Sequence, residues 1–238
     1  MSSLVGLCNS IAIQEDALFL LKNNDTSDLS INNNNHTSFN TTTTTGIYDE
    51  SDGAFTFSNS SFLVSNIFNT TYGNFKTSPY TICFWIYPTT KSYTNSNMNI
   101  VSSWNGSYYS GVWIAYDTGN NDLVLHYYSG SYNSLTLNKS ISFNSWHFIH
   151  FSMGDGYRRI GLDQDYIESS NITPDMSNII GNCGIGPNCG PVPTNPGFHY
   201  NGKIMGVYLF PKILNLGELE IIRLQKGQII WYAFIKTI

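Results

Sequence analysis

The chain has 238 residues, a net charge of -5 and only 11 Lys and Arg, so phosphate-driven binding to nucleic acid is not expected. Charged residues make up 11% and aromatic residues 15%, a balance that suits strands and uncharged polar turns better than helices. No run of 18 consecutive apolar residues occurs, and no transmembrane segment is expected.

The N-terminal stretch lacks a basic segment and is interrupted by Glu15 and Asp16, so it does not read as a secretory leader. An extracellular place or a particle surface, reached by another route, is the expected location. "DALFLLK" is a first strand candidate. Residues 23–46 are polar and of low complexity, and they read as a loop rather than a core element. From Ala54 onward the period becomes two. In "PYTICFWIYPTT", Ile82, Phe84 and Ile86 alternate with Cys83, Trp85 and Tyr87. Both faces are therefore apolar, which predicts a central strand covered on both sides, bracketed by Pro79 and Pro88. "MNIVSSW", "GVWIAYD", "DLVLHYYS" and "SLTLN" follow at short spacing between Gly- and Asn-rich links, the pattern of a sandwich or barrel.

The stretch "SWHFIHFSMGDGYRRIGLDQDYI" is dense in polar chemistry. Alternation puts Trp146, Phe148 and His150 on one face and His147, Ile149 and Phe151 on the other. The two histidines then cannot close on one metal. Gly154 and Gly156 are available for positive φ in the first turn, and residues 162–165 make a second. Asp155, Asp163 and Asp165 are the turn carboxylates to watch. "NLGELEIIRLQKG" is the one convincing helix, with Leu216, Leu219, Ile222 and Leu224 roughly on one side and Gly227 as its stop. The last eleven residues, 228–238, read as an extra strand. With no composition break or fixed-period repeat, residues 1–238 read as a single domain.

Cys83 reads as a buried thiol. Cys183 and Cys189 bracket a Gly- and Pro-rich segment that could close a small disulfide loop, whereas no CxxC pair suggests zinc. An aromatic platform beside amides is offered by Trp104, Asn105, Tyr108, Tyr109, Trp113 and Tyr128. Such tyrosines present flat apolar area with a hydroxyl, which suits a glycan or a protein surface as partner.

Three segments in order resemble the concanavalin A-like lectin/glucanase superfamily in its laminin G-like, pentraxin-like branch. They are "GAFTFSNSSFLVS…SPYTICFWIYPT", "NSWHFIHFSMGDGYRRIGLDQDYI" and "FHYNGKIMGVYLFPKILNLGELEIIRLQKG". The resemblance implies an all-β, two-sheet antiparallel β-sandwich of jelly-roll type with one short C-terminal helix. It also implies calcium at a sandwich rim, with Asp117 and Asp122, which flank "TGNN", as the metal candidates. Their other reading is as Asx-turn acceptors in a hairpin. The chain departs from the family where Leu162-Asp163-Gln164-Asp165 replaces a frequent Asn-Gly turn. It also lacks the glucanase Glu-x-Asp-x-Glu strand, and Glu218 and Glu220 fall in the helix.

The expected function is a non-catalytic binding or adhesion module of lectin-like fold. A structural component of a larger assembly, such as a virion surface or minor capsid protein with self-assembly partners, is the alternative. A glycoside hydrolase is disfavoured because most carboxylates sit in turns. Ser-His-Asp catalysis is disfavoured because no Gly-x-Ser-x-Gly elbow occurs.

Overall fold

Alternation decides the strands. The computed structural model describes residues 19–21, 35–58, 61–65, 79–90, 97–103, 112–117, 122–128, 132–154, 156–170, 183–185 and 200–226. In chain order the elements are β1 Phe19–Leu21, β2 Thr37–Phe39, β3 Thr42–Thr44, β4 Ala54–Phe57, β5 Phe62–Ser65, β6 Tyr80–Pro88, β7 Asn97–Ser103, β8 Val112–Asp117, β9 Asp122–Tyr128 and β10 Tyr132–Ser140. They continue with β11 His147–Gly154, β12 Tyr157–Leu162, β13 Asp165–Ser169, β14 Cys183–Ile185, β15 Gly202–Phe210 and α1 Leu216–Gln225.

One sheet runs β13-β12-β11-β6-β15-β4-β3, with β1 also paired to β15; the other runs β10-β9-β8-β7-β14-β5-β2. The pairings among the described residues are antiparallel. This is the two-sheet antiparallel sandwich expected from the sequence.

The first sheet is covered on both faces, as β6 demands. Ile82, Phe84 and Ile86 join Ile149, Phe151, Leu123 and Leu125 in the core between the sheets. Cys83 and Trp85 face the other way and pack with Phe148, Tyr208, Leu214, Leu219 and Ile222. Each such fully buried side chain contributes about 1.5–3 kcal/mol. In β15 the alternation is broken on purpose. The register slips between Met205 and Tyr208, where Gly206 adopts φ 57. The extra residue lets Met205, Tyr208 and Phe210 all join the outer cluster while Ile204, Val207 and Leu209 stay inside.

Helix α1 closes the outer cluster. Asn215 and Glu218 form a reciprocal capping box, and Lys226 ends the helix in the left-handed conformation. That position falls on Lys226, and Gly227, the expected stop, lies outside the described residues. The approach to the helix is fixed from the sheet: Leu214 N–H donates to Thr81 Oγ1 at 3.0 Å, and Arg159 Nη1 donates to the Leu214 carbonyl at 3.0 Å. Leu219 and Ile222 are buried, but Leu216 and Leu224 are 42% and 62% exposed. The expected four-residue apolar face is thus only two residues wide. Leu224 lies two positions past Ile222, on the far side of the helix.

The segment expected to be a loop is paired at its end. β2 joins β5 and β3 joins β4, at the edges of different sheets, and Asn40 at φ 51 helps the chain turn between them. Pairing partners, not hydrophobicity, make these strands. Gly156 takes φ 76 as expected. Gly154 instead sits against Pro79, where a Cβ would collide with the proline ring. Asp155 and the expected strand 228–238 lie outside the described residues.

Because α1 depends on its cap for orientation, Asn215→Ala should lower unfolding stability by about 1 kcal/mol in urea titrations. An unchanged midpoint would show that packing of Leu219 and Ile222 alone holds the helix.

Candidate functional site

Two joined features lie where the β12–β13 turn meets the helix. The first is a polar joint at the start of β11. Asp163 sits at φ 56 in the turn, and its N–H donates to the Phe148 carbonyl at 2.7 Å. Phe148 N–H donates back to Asp163 Oδ1 at 2.9 Å, while Oδ2 lies 2.8 Å from His147 Nδ1. On its other side, His147 Nε2 lies 2.9 Å from Ser142 Oγ and 3.0 Å from Ser145 Oγ. Burial alone would raise the Asp163 pKa. The hydrogen bonds from His147 and the Phe148 amide outweigh it and hold the carboxyl below its ordinary range.

The structure therefore brings a serine, a histidine and an aspartate into one line, which a search for a nucleophile elbow misses. The available signal was the Asp163 turn sixteen residues after His147. The two hydroxyls also meet each other beside His147: Ser142 Oγ and Ser145 Oγ are 2.6 Å apart, and Ser145 Oγ lies 3.3 Å from the Ser142 carbonyl.

The second feature is a half-open pocket of about 160 Å³ between α1 and the outer face of the first sheet. Phe148 and His150 come from β11; Asp163, Gln164 and Tyr166 come from the turn and β13; Leu216, Leu219, Glu220 and Arg223 come from the helix. Arg223 Nε and Nη2 grip the two Glu220 oxygens, each at 2.7 Å. The Arg223 hydrogen bond is the main reason the Glu220 carboxyl sits below its ordinary value. Beside the pocket, the Arg159 guanidinium lies 5.7 Å from the Tyr166 ring centroid and 3.4 Å from Glu168 Oε2.

His150 is the buried polar group of this pocket. Its ring lies over Gly161, where a Cβ would collide with the imidazole, and Nδ1 has no hydrogen-bond partner. Burial first, and Arg159 second, lower its pKa to about 3.

The residues proposed from sequence lie elsewhere. Trp113 is the second residue of β8, opposite His126, and Tyr128 ends β9 opposite Tyr132, both toward one end of the second sheet. Asp117 and Asp122 are Cα partners at the other end of the same hairpin, about 13 Å away for the four residue steps from Trp113. Among the described candidates, Trp113 and Tyr128 are thus at the opposite end of the hairpin from the two acids. Trp104, Asn105, Tyr108 and Tyr109 lie outside the described residues. Cys183 is in β14, with Ser65 and Ser103 as Cα partners, and Cys189 lies outside the described residues. Among the described residues, no group of three or more His, Cys, Asp or Glu is placed to hold a metal ion. His147 and His150 diverge as alternation requires, one to the polar joint and one under the helix.

With the sandwich and the pocket in view, kinship is decided by sequence. A laminin G-type family model, of the concanavalin A-like lectin/glucanases superfamily, matches residues 64–220. The chain belongs to this superfamily. No curated protein sequence matches it. Among solved structures, this superfamily member is similar to the receptor-binding domain of botulinum neurotoxin C/D mosaic serotype, with a TM-score of 0.69 at 18% identity over 90% of the chain and 52% of that domain. It is also similar to the binding domain of botulinum neurotoxin DC in complex with SialylT, with a TM-score of 0.65 at 17% identity over 88% of the chain and 51% of that domain. The serotype G binding domain gives a TM-score of 0.65 at 16% identity over 88% and 51%. The chain spans about half the length of these domains, and at such identities the likeness is one of fold.

The depressed His150 pKa sets a stability window. Unfolded, the ring titrates near 6.5; folded, near 3. Between those values the unfolded chain takes up a proton that the folded one refuses. Stability is therefore full above about 6.5 and falls as pH drops, at up to about 1.4 kcal/mol per unit. Urea unfolding from pH 7 to 4.5 should show this slope in the wild type and a much flatter one in His150→Leu. Equal slopes would place the acid sensitivity on other groups.

Proposed function

We propose that this superfamily member is a non-catalytic carbohydrate-binding module. The carrying observation is that the pocket holds two carboxylates, Asp163 and Glu220, both kept below their ordinary pKa by bonded partners. Glycoside hydrolysis uses one carboxyl that stays protonated to hand a proton to the leaving oxygen. Two ionised carboxylates accept hydrogen bonds from sugar hydroxyls but supply no such proton. Tyr166 adds a half-exposed aromatic wall. The SialylT complex of a structural neighbour supports a glycan as the partner class. Since the chain corresponds to about half of that domain, the reading rests on its own pocket.

The serine–histidine–aspartate line is a structural joint in this reading: two serines share His147 Nε2, each other and the Ser142 carbonyl, and together they close the turn before β11. Calcium at the β8–β9 turn remains part of the proposal, through the facing backbone positions of Asp117 and Asp122. A protein surface is the second partner reading, supported by Tyr166 and Leu216, which are exposed together at the pocket.

A glycan array read with calcium and with EDTA tests the proposal. Binding in at least one condition is expected, and loss in EDTA would assign calcium a part. Silence towards all glycans in both conditions would shift the reading to a protein partner. Exposure to a fluorophosphonate should leave Ser142 and Ser145 unlabelled; an adduct on either would make the joint a catalytic site.

A further inference from the structure

We infer that the pocket beneath α1 takes a single uncharged or amino-bearing sugar ring and disfavours carboxylated sugars. The inference rests on the carbohydrate-binding reading and adds the place and the ligand class. Size is the first argument. The half-open pocket of about 160 Å³ compares with the closed cavity of roughly 150 Å³ that takes up benzene, so it can seat one ring of a sugar with part of its hydroxyl rim left in solvent. A disaccharide would have to leave its second ring outside.

The lining has the two surfaces that a pyranose needs. Tyr166, 43% exposed, offers its ring to the apolar C–H face, and the Arg159 guanidinium lies 5.7 Å from that ring's centroid. Asp163 and Glu220 have side chains 43% and 39% exposed, and a carboxylate oxygen that already holds one donor has a second lone pair for a sugar hydroxyl. Both are already ordered by protein partners, and little side-chain freedom is lost on binding.

Charge supplies the selectivity. Asp163, Glu220 and Glu168 bring three negative charges to the pocket and its margin, against two positive ones from Arg223 and Arg159. His150 is neutral at physiological pH. The two guanidiniums are already paired with these acids: Arg223 donates Nε and Nη2 to Glu220, and Arg159 donates Nη1 to the Leu214 carbonyl and Nε to Glu168. An acidic sugar would add a further carboxylate where acids outnumber arginines three to two, whereas an ammonium group would add the missing positive charge.

Titration calorimetry and saturation-transfer NMR on the full chain decide this. The probes are methyl β-galactoside, methyl α-mannoside, methyl β-glucosaminide and the methyl α-glycoside of N-acetylneuraminic acid. The variants are Leu216→Trp, which fills the pocket mouth from an exposed position, and Tyr166→Ala, which removes the platform. Melting temperatures matching the wild type confirm folding. At least one uncharged or amino glycoside should bind about tenfold more tightly than the sialoside, and each variant should weaken it about tenfold. A sialoside that binds as well as the others overturns the selectivity. Undiminished glycoside binding by Leu216→Trp overturns the location and leaves the module a carbohydrate binder through another surface. No binding by the wild type, either here or on the array, removes both readings together.

Discussion

A sheet that is apolar on both faces cannot be left half-covered. In β6 the alternation of Cys83 and Trp85 with Ile82, Phe84 and Ile86 imposes that condition on the molecule. The second sheet satisfies one face. The other requires α1, and the fold devotes several polar contacts to keeping it there: the Asn215–Glu218 box, Thr81 beneath Leu214, and Arg159 on the Leu214 carbonyl. A ten-residue helix is narrower than the sheet it shields. The pocket is the uncovered strip between helix and turn, so the candidate site follows from the covering problem itself.

The polar groups along that strip differ in how they are satisfied. Glu220 has Arg223, Asp163 has His147 and an amide, and Arg159 has Glu168 and a carbonyl. Their geometry is set before any ligand arrives. His150 is the exception, a neutral ring given room by Gly161 but left without a partner at Nδ1. An unsatisfied buried polar atom costs about 1–3 kcal/mol, and this one also makes the same region acid-sensitive.

Much of the sandwich was legible because its strands obey strict rules. β6 and β11 alternate without interruption, and Ser145–Ile167 announced both of its hairpins. The bulge at Gly206 was not legible, since it exists only relative to the register of β6. Nor were β2 and β3, whose Thr- and Asn-rich sequence carries no hydrophobic signal and which form because β5 and β4 offer edges. The pocket was hidden for a different reason. Phe148, Asp163 and Arg223 are far apart in sequence and meet only when sheet, turn and helix converge. Composition instead drew attention to Trp113, Tyr128, Asp117 and Asp122, which strand direction separates to opposite ends of one hairpin.

Asp163 serves two masters. One oxygen ties the amide that starts the buried part of β11, the other holds His147, and the same carboxylate walls the pocket. Replacing it would disturb the frame as well as any ligand. The helix side carries no such obligation at Leu216, whose exposed side chain reaches only the lip. The cavity thus has one wall that must be inherited and another that can be rewritten. Divergence in ligand choice among chains of this architecture should run along the helix and spare the turn.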